Sequence, residues 1–157
     1  MIDPMEVLST ESLEEALEQV RPDELETFFR RNEAALLQSE KPFAVYMRSM
    51  LKKKEILQQS LFRAADIPEK YGYRLISEER HTMSRDLILR LCLAAGFTLK
   101  ETQRALRLAR QEELYARLKR DAVLIVGINE KMKVDDVNSL LKQYGVAELK
   151  RIGEKDE

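Results

Sequence analysis

Hydrophobic residues recur every three or four positions along most of the chain, which is the spacing of one face of an α-helix. The pattern is interrupted at Pro22-Asp23, at Lys41-Pro42 and at Asp66-Ile67-Pro68. Proline and the residue before it both resist the helical interior, so each interruption marks a helix boundary. The spacing therefore predicts an all-α fold of about eight helices with no sheet.

The N-terminal 40 residues have the pattern of two short helices. Ser12-Leu-Glu-Glu15 has the spacing of a capping box, which predicts a helix that starts there and ends near Val20. A second helix follows Pro22, with an apolar stripe formed by Leu25, Phe28, Phe29, Leu36 and Leu37. These residues predict an acidic helical leader over residues 1–40.

A third helix runs from Phe43 and ends in Lys52-Lys53-Lys54, where the helix dipole favours cations. The next segment, LQQSLFRAADIPEKYGYRLI, covers residues 57–76 and predicts two short helices separated by a turn. Ile67 is expected to fill the turn. The inward positions are predicted to be Leu57, Leu61, Ala64 and Ala65 on the first helix, and Leu75 and Ile76 on the second. Two short helices at this spacing are typical of a helix-turn-helix.

The second half of the chain contains a repeat. Ser84 is placed to cap the helix LILRLCLAA, which is nearly all apolar and should lie buried at the centre, with Gly96 as its C-cap. Thr98 and Glu101 form a second capping box at the start of the next amphipathic helix. At an offset of 35 residues the unit recurs: Arg85-Asp86 matches Arg120-Asp121, Phe97 matches Met132, Leu99 matches Val134, Glu101 matches Asp136, Leu106 matches Leu141 and Leu114 matches Leu149. This predicts two helical hairpins on one core.

Composition narrows the class of protein. The 157 residues are 44% hydrophobic and 35% charged, with few breakers, and no apolar run approaches the ~18 residues that span a bilayer. The N-terminus lacks the basic and apolar regions of a signal peptide. Cys92 is the single cysteine, so no internal disulfide can form. These features predict a cytoplasmic protein without membrane partners.

The net charge of −1 hides a segregation along the chain. Residues 1–40 carry −8, residues 41–120 carry +9, and residues 121–157 carry −2. The basic middle is where an anionic partner would bind. The alternative is that the acidic leader neutralises the basic middle within one fold, and the sequence leaves both interpretations open.

The residues that carry enzyme chemistry are sparse. His81 is the single histidine and lies in a polar segment, where a solvated side chain is the simplest interpretation. Cys92 lies in an apolar helix and is expected to be a packing residue. No Gly-rich phosphate loop or metal-spaced carboxylate set occurs in the sequence. We therefore expect that the protein is not an enzyme and binds no metal or cofactor.

Several segments together resemble a known family. YGYRLI, SRDLIL, LAAGFTLKETQRALRLA, KRDAVLIVGI and VDDVNSLLKQYG are similar to segments of small bacterial regulators, common in Firmicutes, of the XRE-type, lambda-repressor-like helix-turn-helix family. The resemblance to the helix-turn-helix itself covers residues 43–114, and the broader likeness covers roughly residues 5–150. It implies a lambda-repressor-like core that binds double-stranded DNA in transcription regulation. The implied organisation is a leader over 1–40, a helix-turn-helix domain over 41–118, a C-terminal hairpin over 119–150 packed on the same core, and a polar tail over 151–157.

The resemblance implies a set of DNA-binding residues. The second helix of the motif would be the recognition helix, whose exposed N-terminal residues reach base edges in the major groove. Lys70, Tyr73 and Arg74 match those positions, and Lys52, Lys53 and Arg80 would flank them on phosphates. Arginine makes a bidentate contact to guanine, and lysine contacts guanine or phosphate.

Five residues depart from the family pattern. Asp66 stands where the turn usually has glycine, and Phe62 stands where the supporting helix usually has a small residue. Glu69, Glu78 and Glu79 add carboxylates near the expected phosphate backbone, which weakens the electrostatic part of DNA binding. These departures favour an alternative, a protein-interaction module on a helix-turn-helix fold that no longer binds DNA. The sequence does not give the oligomeric state, the operator or the protein partner.

Overall fold

The computed structural model describes residues 10–32, 42–77 and 84–152, and all regular structure in these ranges is helical. One 3-10 helix, Pro22–Glu24, and nine α-helices occur there, so the predicted all-α class is confirmed for the described residues. The α-helices are α1 (Thr10–Leu17), α2 (Leu25–Arg31), α3 (Pro42–Lys53), α4 (Gln58–Ala65), α5 (Glu69–Ser77), α6 (Arg85–Ala94), α7 (Leu99–Leu108), α8 (Lys119–Asn129) and α9 (Val134–Gln143). The chain divides into two compact units, residues 1–42 and residues 43–157.

The first unit contains α1, the 3-10 helix and α2. The predicted capping box at Ser12 is wrong, because α1 begins at Thr10 and Ser12 therefore lies inside its first turn. An N-cap residue needs extended backbone, which a residue within the helix does not have. Of the predicted apolar stripe, Phe28 is buried and Phe29 is half exposed, while Leu36 and Leu37 lie outside the described residues.

α6 lies at the centre of the second unit. Every residue from Asp86 to Leu93 is buried, and the helix packs against α4, α7 and α9. Its N-terminus is capped as predicted, since the Ser84 side chain accepts a hydrogen bond from the Leu87 N–H at 3.1 Å. At its C-terminus Gly96 has a φ of +67°, the left-handed conformation that glycine adopts without strain. The predictions of a central buried helix and of the Ser84 cap are confirmed, whereas the C-cap residue is Ala95 and Gly96 is the residue that follows it.

The inward face of α4 differs from the prediction. Leu61, Phe62 and Ala65 are buried, whereas Leu57 is 74% exposed and Ala64 is exposed as well. Leu57 is the N-cap residue, with extended backbone, so its side chain does not continue the helical stripe. Placing Leu57 in the periodic pattern rotated the predicted face and left out Phe62, which is 1% exposed.

The predicted repeat forms two matching helical hairpins, α6 with α7 and α8 with α9. α7 and α9 have the same length, and α9 begins and ends 35 residues after α7. The turn that joins each pair has its left-handed residue at the same offset, Gly96 in the first hairpin and Lys131 in the second. The Lys131 ammonium donates to the Gly96 carbonyl oxygen at 2.6 Å, which joins the two turns directly.

Two reciprocal ion pairs hold the hairpins together. The Arg85 guanidinium donates to both carboxylate oxygens of Asp121, at 3.1 and 2.9 Å. The Arg120 guanidinium donates to both carboxylate oxygens of Asp86, also at 3.1 and 2.9 Å. The residues that recur in sequence thus bind across the repeat, which makes the contact approximately two-fold symmetric. Bidentate pairs of this kind combine strength with a fixed orientation.

The segments that follow α7 and α9 are also held in matching ways. The Gln103 side-chain amide exchanges two hydrogen bonds with the backbone of Leu114, at 2.9 and 2.7 Å. At the 35-residue offset the Asn138 side-chain oxygen accepts from the Leu149 N–H at 2.7 Å. Each pairing buries its leucine, at 5% and 3% exposure, and so closes the hairpin core.

A buried arginine joins the end of the chain to the centre of the unit. Arg90 of α6 is 1% exposed, and its guanidinium donates to the carbonyl oxygens of Lys150 and Leu149, each at 2.7 Å. It also donates to the carbonyl oxygen of Ala65, the last residue of α4, at 3.2 Å. The apolar pattern of this segment predicted a packing helix and did not indicate the polar contacts of Arg90.

Candidate functional site

A surface groove with a volume of about 440 Å³ lies on the second unit, next to α5. We call it the basic groove. Helices α3, α4 and α5 provide the residues that line it, which are Arg48, Gln58, Lys70, Tyr73, Arg74, Ile76 and Ser77. Three of these residues carry a positive charge at neutral pH, so the groove favours an anionic ligand.

The sequence of α5 places its polar residues on the groove. Lys70, Tyr73 and Arg74 are separated by three and four positions, so they share one face of the helix. All three are exposed, whereas Leu75 and Ile76 of the same helix are 1% and 2% exposed. The structure therefore brings three of the six predicted DNA-binding residues together on one surface.

The packing of α5 on α4 depends on a glycine. A Cβ atom added to Gly72 would lie 2.4 Å from Cδ1 of Phe62, far inside van der Waals contact. The large residue in the supporting helix is thus accommodated by a missing side chain in α5. The Phe62 ring also contacts the Tyr73 ring edge to face, with centroids 5.0 Å apart. This contact fixes Tyr73 on the surface that Lys70 and Arg74 share.

Tyr73 is oriented by a carboxylate on the same helix. Its hydroxyl donates to Glu69 Oε1 at 3.2 Å. Desolvation raises the pKa of Tyr73, and the hydrogen bond to the Glu69 carboxylate raises it further. The phenol therefore stays protonated at neutral pH and acts as a donor to Glu69. The Glu69 carboxylate, which was expected to face the DNA backbone, thus accepts a hydrogen bond within α5.

The turn between α4 and α5 accommodates its unusual aspartate. Asp66 has a φ of +56°, a left-handed conformation that glycine adopts most readily and that aspartate tolerates better than most residues. Its carboxylate forms an ion pair with Arg151 at 3.3 Å, with both side chains more than half exposed. An exposed pair contributes little stability, but it reduces the negative field at the turn. Ile67 fills the turn as predicted, at 4% exposure.

The other predicted DNA-binding residues lie elsewhere. Lys52 and Lys53 are exposed in the last turn of α3 and are not among the residues that line the groove. Arg80 lies outside the described residues, as do Glu78, Glu79 and His81.

Arg48, Gln58 and Ser77 line the groove but were not among the residues that the sequence predicted to bind DNA. Arg48 was detectable as a charged position that interrupts the apolar stripe between Met47 and Met50.

Cys92 has the packing role that its apolar helix predicted. Its side chain is 0% exposed, and burial raises the pKa of the thiol to about 12. A thiol with so high a pKa holds almost no thiolate at neutral pH, so it is a poor nucleophile.

Comparison of the chain with protein-family models, with curated proteins and with solved structures gives no match. In residues 10–32, 42–77 and 84–152, none of the helices has the length and apolar character needed to cross a membrane.

Proposed function

We propose that the protein is a DNA-binding transcription regulator in which α4 and α5 form a lambda-repressor-like helix-turn-helix. The observation that carries this proposal is the convergence of Lys70, Tyr73 and Arg74 with Arg48 on one exposed, cationic surface. A helix that presents arginine and lysine from an exposed face matches the chemistry of guanine and phosphate recognition. The +9 charge of residues 41–120 supports association with a polyanion.

Two structural features make the unusual residues Phe62 and Asp66 compatible with a DNA-binding helix-turn-helix. Phe62 is matched by Gly72, so the two helices can pack closely with a large residue between them. Asp66 is paired with Arg151, so its charge is partly neutralised beside the turn. In this proposal α5 is the recognition helix, Arg74 contacts a base edge, and Lys70 contacts a base or a phosphate. Lys53, at the end of α3, contributes to phosphate binding without sequence preference.

The second candidate function is a protein-interaction module. The observation that favours it is Glu69, whose carboxylate lies at the leading end of α5 and within 3.2 Å of the Tyr73 hydroxyl. A carboxylate at that position opposes the approach of a phosphate backbone. In this alternative, Glu69 and the cations of α5 contact charged groups on a protein partner.

A titration of labelled genomic fragments at two salt concentrations tests the proposal. The wild-type protein is expected to select one fragment at physiological salt. Arg74→Ala is expected to weaken that binding by about 1–3 kcal/mol and to relax the preference at one base pair. Lys53→Ala should weaken binding to all fragments alike and lower the salt slope by roughly one.

The matched control is Lys142→Ala, which removes one exposed positive charge from α9. It should change neither the selection nor the salt slope. Absence of selection even at low salt would reject the DNA-binding proposal. If Glu69→Gln then raised unspecific binding from almost nothing, the interaction module would be the better explanation.

A further inference from the structure

The basic groove includes residues outside α5, the proposed recognition helix. Arg48 belongs to α3, and Gln58 is the first residue of α4, yet both line the same surface as Lys70 and Arg74. Among the described residues, those that line the groove include three cations and no carboxylate. Cations that line one concave surface favour the approach of an anionic group.

The start of α4 adds hydrogen-bond donors beside these charges. The N-cap residue is Leu57, and no side chain caps the first turn. The first N–H groups of a helix have no partner within the helix, and phosphate oxygens accept hydrogen bonds from such groups. Gln58 carries the first of these N–H groups, and its side chain lines the groove.

We propose that the basic groove binds one backbone phosphate of duplex DNA and that Arg48 is a phosphate-binding residue. This inference rests on the proposed function and assigns Arg48, on α3, a specific contact within the DNA-binding surface. Phosphate contacts set the position and orientation of a protein on the duplex, whereas base contacts set its specificity. Arg48 therefore positions α5, so that Arg74 meets one particular base pair.

The volume of the groove agrees with a phosphate that is part of a larger molecule. At about 440 Å³ it lies within the range of sites for small organic ligands and is roomy for an isolated phosphate ion. The exposed edge of the Tyr73 ring and the small surface of Ile76 give the groove an apolar side. The sugar that adjoins a backbone phosphate would lie against that side.

The test uses the selected duplex with one phosphate at a time replaced by an uncharged methylphosphonate. For the wild-type protein, one replacement is expected to weaken binding about tenfold, as the loss of a hydrogen-bonded charge pair does. Arg48→Ala should weaken binding to the unmodified duplex by a similar factor and lose its sensitivity to that same replacement. Arg48→Lys keeps the charge and should retain part of the sensitivity.

Two controls separate this effect from loss of folding and from general electrostatics. Arg48 is exposed, so Arg48→Ala should keep the wild-type circular dichroism spectrum and melting temperature. Arg117→Ala removes an exposed arginine that follows α7, and it should keep the wild-type response to every methylphosphonate. Inorganic phosphate, compared with chloride at equal ionic strength, should displace the duplex no better than chloride does.

The outcomes distinguish this inference from the proposed function. If the protein selects a fragment but Arg48→Ala keeps the wild-type methylphosphonate response, the phosphate site is rejected and the DNA-binding proposal stands. If binding is unselective but Arg48→Ala lowers its salt slope by about one, the phosphate site stands and base recognition is rejected. If no duplex binds at low salt, both are rejected. Saturable binding of inorganic phosphate that excludes the duplex would replace DNA with a free anion as the ligand.

Discussion

At the scale of single residues, the large side chain of Phe62 packs where Gly72 has no side chain. The Phe62 ring of α4 lies so close to Gly72 of α5 that a side chain at position 72 would overlap it. The ring then supports Tyr73 from behind, at a centroid distance of 5.0 Å. A change at either position therefore acts on the helix that carries Lys70 and Arg74.

We predict that Gly72→Ala lowers the free energy of unfolding by about 1–3 kcal/mol, because the new methyl group overlaps the Phe62 ring. In the double variant Phe62→Leu/Gly72→Ala, the smaller side chain leaves room for the methyl group. Its loss of stability should therefore be less than the sum of the two single losses, by at least about 0.5 kcal/mol. Urea denaturation at equilibrium measures all three values.

The control for this comparison is Gln59→Ala, at an exposed position of α4, which should change stability by no more than about 0.5 kcal/mol. Additive losses in the double variant would contradict the contact between Phe62 and Gly72.

At the scale of helices, the repeat converts local similarity into a symmetric contact. The carboxylate of Asp121 accepts hydrogen bonds from Arg85 and from the Tyr115 N–H. Burial alone would raise the pKa of Asp121, but these hydrogen bonds and the nearby positive charge outweigh it, and the pKa is lowered. The contact between the hairpins is therefore strongest when this carboxylate is ionised.

We predict that Asp121→Asn lowers the free energy of unfolding by about 3 kcal/mol at pH 7, because it leaves Arg85 without its charged partner. The folded-state pKa of Asp121 lies below its unfolded value of about 3.9. The stabilisation by the ionised carboxylate is thus present above the unfolded pKa and is lost as the pH falls through the folded pKa. The difference between wild type and variant should shrink when denaturation is repeated below about pH 4.

Asp135→Asn provides the matched control, since Asp135 is exposed in the first turn of α9. Its effect should stay within about 0.5 kcal/mol at pH 7. A difference for Asp121→Asn that persists unchanged in acid would contradict the role of its ionised form.

At the scale of the second unit, the end of the chain returns to the middle. Leu149 and Lys150 provide carbonyl oxygens for the buried guanidinium of Arg90, and the Lys150 N–H donates to Asp86 at 2.9 Å. Arg151 pairs with Asp66 at the turn between α4 and α5. Contacts far apart in sequence thus connect the C-terminal hairpin to the helices of the candidate site.

We predict that a chain ending at residue 118 loses its cooperative thermal unfolding transition. The truncation removes the charged partners of Arg85 and Asp86, and it removes the carbonyl oxygens of residues 149 and 150 that accept hydrogen bonds from Arg90. Polar groups left without partners cost about 1–3 kcal/mol each, so these losses together are comparable with the roughly 5–15 kcal/mol that stabilises a typical domain. Circular dichroism at 222 nm during heating measures the transition.

A chain ending at residue 152 serves as the comparison, because it keeps all of these contacts, and it should unfold near the wild-type temperature. A truncation at 118 that unfolded cooperatively at an unchanged temperature would show that the helices up to α7 are stable alone.

The features that short segments of sequence control were predictable. Helix periodicity, the caps at Ser84 and Thr98, and the buried helix α6 depend on neighbours within a few residues, so the sequence determined them. The same holds for Lys70, Tyr73 and Arg74, whose shared face follows from helical spacing. The repeat was visible as well, because its two copies keep a constant offset.

The tertiary structure decided which distant residues meet. Phe62 packs against Gly72, and Arg85 forms an ion pair with Asp121. Arg48 of α3 lines the groove beside α5. None of these contacts follows from spacing, because the relative placement of two helices depends on how the whole core packs. The error at Leu57 has a related cause: apolar character alone did not reveal that its backbone is extended and lies outside the helix. The sequence by itself thus determined the helices and the exposed face of α5, and only packing decided the partners that hold them.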